Sequence, residues 1–281
     1  MEIYTTGGVA NADVIYPNTI FIPTNDDFPA NAETVRAGFA ALADRTRQLQ
    51  NFVQWHRPRV AVRCDDGANL VFETLGAVAV YDEVNDQWLL FRAPFMGTQI
   101  SLNTSGLANS SWYYVYAKQT NGALDFDIST TAPDAILVGK GASGDTRFRY
   151  LLCFRTDGSG NIVLFRYQGG HFRYYQNQGA SGLTSLQNTS LSTLSLAALV
   201  PPHVLLADLC IYHINNTGVQ KTLTLRHTGT SVSDTYYMPA PNGEFDYRVT
   251  RALNASQQLD AAINSASNLY SIVVEGFREQ I

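Results

Sequence analysis

Arginine and aromatic residues crowd one stretch of this chain. Arg147, Arg149, Arg155, Arg166, Tyr167, His171, Arg173, Tyr174 and Tyr175 fall within 29 positions. Guanidinium groups and phenol rings are enriched at buried protein interfaces and also stack on sugars. Arg166, Tyr167, His171, Arg173, Tyr174 and Tyr175 are therefore the candidate set for contact with a ligand or a partner. The competing expectation is that half of these side chains are core and that the arginines point into solvent.

Other constellations carry less chemistry. Gly139-Lys140-Gly141-Ala142-Ser143-Gly144 fits G-x-G-x-x-G, but a phosphate loop needs a helix to follow, whose N-terminal amides hold the phosphates. Asp145 to Arg155 reads as a strand, so the glycines are expected to form a flexible hairpin loop. Carboxylates cluster at Asp65-Asp66, Asp82/Glu83/Asp86 and Asp125/Asp127, in or beside turns where Asp is ordinary. The Asp82–Asp86 and Asp157–Asn161 turns lack the spacing of a calcium loop. His56, His171, His203, His213 and His227 form no metal-binding pair, and no Ser sits in G-x-S-x-G. Cys64, Cys153 and Cys210 are too scattered for a zinc knuckle or a disulfide framework. The expectation is a chain without catalytic residues, cofactor or metal.

The elements that must position these residues follow from periodicity. Residues 1–30, rich in Gly, Asn, Asp, Thr and Pro, read as an extended docking arm. Residues 31–57 read as one long amphipathic helix, capped by Asn31 and closed by Pro58. Its seam is Val35, Phe39, Leu42, Thr46, Leu49 and Val53, spaced 4-3-4-3-4, which suits a self-associating bundle as well as a helix laid on its own sheet. From Val60 the period becomes two. Val78–Tyr81 and Gln87–Phe91 form a hairpin, and Arg147–Arg155 alternates, with Phe148, Tyr150, Leu152 and Phe154 on one face. Residues 58–176 read as a β domain, and 177–202 as a polar linker ending in Val200-Pro201-Pro202. Residues 203–281 read as a second strand set, either completing the same sandwich or forming a second one, with a helical turn or short helix between Ser256 and Asn264. The fold class expected is mainly β: an antiparallel β-sandwich or jelly roll preceded by an arm and a helix.

Composition narrows the partners. The 281 residues include 45% hydrophobic but only 15% charged side chains, and only three of the 19 basic residues are lysines. A typical soluble protein carries about 25% charged residues. The balance lacks the basic excess of a nucleic-acid binder, and no apolar run approaches a membrane-helix length. The first residues, Met1-Glu2-Ile3-Tyr4, lack the pattern of a classical secretion signal. Neutral polar surface can be buried against protein without the desolvation cost of charges.

Several segments taken in order resemble a known family. They are Ser111–Tyr116, Ile128–Asp134, Arg149–Ile162 with its Asp157-Gly158-Ser159-Gly160-Asn161 turn, Leu199–Pro202 and Ile272–Phe277. The order is similar to β-rich virion proteins of tailed bacteriophages: tail-fibre, head-fibre, collar and baseplate components. Phe39-x-x-Leu42-Ala43-Asp44-Arg45-Thr46 resembles the segment such proteins place before their β domain. The resemblance implies a non-enzymatic homo-oligomer, often a trimer, located in the virion after assembly in the host cytoplasm. Its partners would be copies of itself and other tail, neck or capsid proteins, docked through the arm and helix. The alternative is a host receptor-binding module that recognises cell-surface carbohydrate through its Tyr/Arg surfaces. A glycan-cleaving depolymerase is a third reading, and it requires paired carboxylates across a cleft.

Overall fold

The computed structural model describes residues 13–16, 45, 58–85, 87–91, 98–101, 106–175, 184–186, 189–215, 219–238, 243–264 and 269–279. The described chain is mainly β. In order, the first strands are β1 (Asp13–Tyr16), β2 (Val60–Cys64), β3 (Asn69–Leu75), β4 (Val78–Asp82), β5 (Gln87–Phe91) and β6 (Thr98–Ser101). Then come β7 (Trp112–Thr120), β8 (Ala123–Ser129), β9 (Arg149–Arg155), β10 (Phe165–Gln168), β11 (His171–Tyr174), β12 (Thr184–Leu186) and β13 (Ser192–Ser195). The last are β14 (Leu206–Asn215), β15 (Lys221–His227), β16 (Ser233–Met238), β17 (Gly243–Ala252), β18 (Gln258–Ile263) and β19 (Leu269–Arg278). Among the described residues, no helix is long and apolar enough to cross a membrane.

Two compact units interleave along the sequence. One comprises Met1–Arg59, Leu75–Met96 and Tyr114–Leu152; the other comprises Val60–Thr74, Gly97–Tyr113 and Cys153–Ile281. In the first unit, β4 and β5 form the expected hairpin, and β1 pairs with the free side of β5. A separate ladder pairs β8 with β7. Tyr114 and Tyr116 tilt against Tyr150, and the Tyr116 hydroxyl donates to the Thr131 carbonyl at 2.7 Å. The Lys140 ammonium lies 4.6 Å from the Phe148 ring centre and 2.8 Å from Asp127, so its charge is shared between a π face and a carboxylate.

The second unit holds a large antiparallel sheet of order β17-β14-β19-β11-β10-β2-β3-β6, with β12 paired to the other end of β19. Alternation along its strands separates two faces. Phe165, Phe172 and Phe277, one each from β10, β11 and β19, stack on the buried face with centroids 4.5 Å apart. Val62, Cys64, Ala207, Leu209 and Ile211 line the same face, all essentially without solvent exposure. A smaller sheet in this unit, β13-β18-β15-β16, buries Leu223, Leu225, Leu259, Ala261 and Ile263.

One irregularity decides where the end of β19 points. Opposite Asp208 and Leu209 the register shifts, so β19 carries an extra residue there. Before the bulge Ile272 and Val274 are buried; after it the buried positions are Phe277 and Glu279. Gly276 sits in this bulge against the backbone of β11, where an added Cβ would lie 2.0 Å from the Phe172 carbonyl oxygen.

Several expectations change. Ser256–Asn264 is not helical: β18 runs through it, because Asn254 ties the preceding turn by accepting from the Ser256 and Gln258 amides at 3.0 and 2.9 Å. Residues 177–202 contain β12 and β13, paired with β19 and β18, where leucines recur among the Ser and Thr of the expected linker. Of the strands from 203 onward, β14, β17 and β19 share the large sheet with β2, β3, β10 and β11. The glycine-rich loop is knitted closed rather than flexible: Lys140 and Asp145 exchange backbone hydrogen bonds, and a Cβ on Gly139 would meet Gly144 backbone at 2.5 Å. The next element is the strand β9, as a hairpin loop requires. Of the expected helix only Arg45 is described, helical and exposed. Val35, Phe39, Leu42, Thr46, Leu49 and Val53 lie outside the described residues, as does the arm except for β1.

Candidate functional site

Strand alternation splits the six predicted contact residues between two environments. In β10 and β11, Arg166, Gln168, His171 and Arg173 are exposed, while Tyr167 and Tyr174 are buried. Arg166 pairs in register with both Arg173 and Arg63, and Gln168 pairs with His171, which places these side chains on one face of the large sheet. Tyr175, just past β11, is exposed. Tyr167 and Tyr174 instead serve the interior. The Tyr174 hydroxyl donates to the Leu199 carbonyl at 2.7 Å, and burial pushes its ionisation up.

The exposed face continues across β19, β14 and β17. Arg63 and Arg166 both reach Glu73, at 3.2 and 3.3 Å. Arg248 and Arg173 approach Glu275 at 3.1 and 3.9 Å. Arg278 meets Asp208 at 3.1 Å, and Thr250 donates to the same carboxylate at 2.5 Å. Arg63 also pairs with Asp65. Burial, as the largest influence, together with the nearby Glu275 and Asp246 carboxylates, pushes the Cys210 thiol up, which keeps it protonated and unreactive at neutral pH. Five arginines (63, 166, 173, 248 and 278) thus face five carboxylates (65, 73, 208, 246 and 275). A face so balanced produces little net field to attract a polyanion.

Two adjoining clefts open on this face. One, of about 310 Å³, is lined by His171, Arg173, Asp208, Arg248, Thr250 and Glu275, among others. The other, of about 380 Å³, is lined by Arg166, Gln168, Gly169, His171 and Arg173. His171 and Arg173 belong to both. Their donors and acceptors suit hydroxyl-rich or mixed polar partners.

Not every arginine of the cluster is solvated. Arg149 is 1% exposed; its Nε donates to the Ala79 carbonyl at 3.0 Å and its guanidinium lies over the Trp88 ring. Burial lowers its pKa to about 10, against the weaker influence of Asp134.

A second polar cluster lies on the buried face. The Glu279 carboxylate accepts from the Tyr167 hydroxyl at 2.7 Å, approaches His203 Nε2 at 3.0 Å, and accepts from the Cys153 thiol at 3.7 Å. Cys153 comes from β9, and Glu279 follows β19 on the buried parity set by the bulge. His203 stands on the turn closed by the Val204 amide to the Pro201 carbonyl at 3.0 Å, and the Gln257 side chain holds the Pro202 carbonyl at 2.9 Å. In sequence Cys153 and His203 belong to no ligand motif, and Glu279 lies outside the carboxylate clusters. The three residues share no local motif, and only the folded chain joins them. A scan against protein-family models finds no match to this chain, and a search of curated proteins finds none either.

Proposed function

We propose that this chain is a non-enzymatic structural component of a tailed-bacteriophage virion, of fibre, collar, baseplate or decoration type. It self-associates, as a homotrimer, and contacts neighbouring virion proteins. The segments from Ser111 to Phe277 that resemble such proteins support this reading. The observation that carries it is the wide charge-balanced face of the large sheet, where every cited arginine already has a carboxylate partner. When protein covers such a face, paired charges recover part of their desolvation cost through mutual attraction, whereas isolated charges recover none. In this reading the β region is a sandwich-like body, and residues 1–57 provide the arm and helix that dock it. Light scattering of the full purified chain is expected to give a concentration-independent trimer mass, and immunogold labelling is expected to decorate the phage particle. A monomer at every concentration together with unlabelled particles would count against it.

The adjoining clefts favour one further reading, adhesion to host-surface glycan. His171 and Arg173 would then contact sugar hydroxyls from the shared wall. Glycan-array binding that is lost in Arg173→Ala supports adhesion, and silence of the full chain on the array removes it.

A further inference from the structure

We propose that Cys153, His203 and Glu279 form a zinc site that ties β9, the Pro201–Val204 turn and the end of β19 together. Their donor atoms all lie within 4.8 Å of one another. Ligands sharing one tetrahedral Zn²⁺ stand roughly 3.3–3.7 Å apart, given metal–ligand bonds of about 2.0–2.3 Å. The Cys153 Sγ to Glu279 Oε1 and His203 Nε2 to Glu279 Oε1 separations, 3.7 and 3.0 Å, bracket that range, and the Cys153–His203 pair, within 4.8 Å, must draw in by a side-chain adjustment.

The donor set selects the metal. A thiol and an imidazole beside a single carboxylate suit zinc and disfavour calcium or magnesium, which take oxygen ligands. Charge points the same way. Cys153 and the Glu279 side chain are fully buried, and the His203 side chain is 9% exposed. A thiolate, a carboxylate, a neutral imidazole and Zn²⁺ sum to zero, the total a dry interior tolerates. The Tyr167 hydroxyl, bonded to the other Glu279 oxygen, orients the carboxylate without itself binding the ion. A solvent-derived ligand on the His203 side completes four-coordination. Binding displaces the Cys153 thiol proton, so affinity weakens as pH falls. Because the ligands are buried and come from three separate elements, the bound ion stabilises the fold.

Metal analysis of the full chain, expressed with zinc, is expected to give close to one equivalent. Exchange into Co²⁺ should produce a thiolate-to-cobalt charge-transfer band that survives Cys210→Ser and Cys64→Ser but is lost in Cys153→Ser. Chelation should lower the wild-type melting temperature by about 5 °C and leave Glu279→Gln unmoved. Folded wild-type protein with no bound zinc and no cobalt band would overturn the proposal, leaving a hydrogen-bonded cluster. A band that persists in Cys153→Ser would also overturn it, by placing the ion on another thiol. The wild-type measurements decide the question even where a variant fails to fold.

Discussion

Asp260 shows how a single carboxylate can organise a sheet surface. It lies in register with Thr193 on one side and Arg226 on the other. It accepts from Thr193 at 2.8 Å, Thr228 at 2.9 Å and the Arg226 guanidinium at 2.7 Å. Burial alone would raise its pKa; the bonds from Arg226, Thr193 and Thr228 outweigh it and hold the carboxyl below the usual range. A depressed folded-state pKa contributes stability above the unfolded value near 4, and that contribution is lost as pH falls through the folded value. Asp260→Asn should therefore cost about 1–2 kcal/mol at pH 7. The wild-type-minus-variant difference should shrink toward zero below about pH 4. Thermal melts of both proteins across the acid range would check this; a difference constant with pH would contradict it. Asp66 and Asp145 are also held low, chiefly by Asn69 and Arg147, and subtracting the two melts removes their shared influence.

At the scale of elements, the junction of β11 and β19 brings main chain so close at Gly276 that a Cβ has no room there. Gly276→Ala would drive a methyl into the Phe172 carbonyl, forcing the strands apart and disturbing the Phe165–Phe172–Phe277 stack. Overpacking of this kind costs about 1–3 kcal/mol or more, read as a lower denaturant midpoint; an unchanged midpoint would show that the bulge yields freely. The same junction marks the limit of what alternation reveals. β10 and β11 are legible because their apolar residues recur at every second position, and β4, β5 and β9 because short apolar runs are bounded by polar or turn residues. The fate of the other face is not legible. Alternation in β9 suggests arginines in water, yet Arg149 is buried, because period two separates faces without saying whether one of them is covered. Ser256–Asn264 misleads for a related reason: a short stretch mixing Gln, Leu, Asp and Ala fits either period, and the Asn254 turn decides. Glu279 was hidden by the bulge, which reverses the parity that strict alternation would assign.

For the whole molecule, the candidate face was half legible. Arg166 and Arg173 are legible from composition, but their partners Glu73 and Glu275 come from strands distant in sequence. The zinc ligands were not legible at all, since His203 and Glu279 lie 76 positions apart. Long-range pairing also governs how the chain tolerates truncation. A chain ending at residue 264 lacks β19 and should accumulate as insoluble material, whereas the full chain stays soluble; equal solubility in a pelleting assay would refute this. The order of the large sheet explains why. β19 follows β14 and β11 in sequence but lies between them in the sheet, so both neighbours keep an open edge until it pairs. A polypeptide cut short before β19 exposes those strand edges to the chaperones and proteases that recognise unfinished sheets.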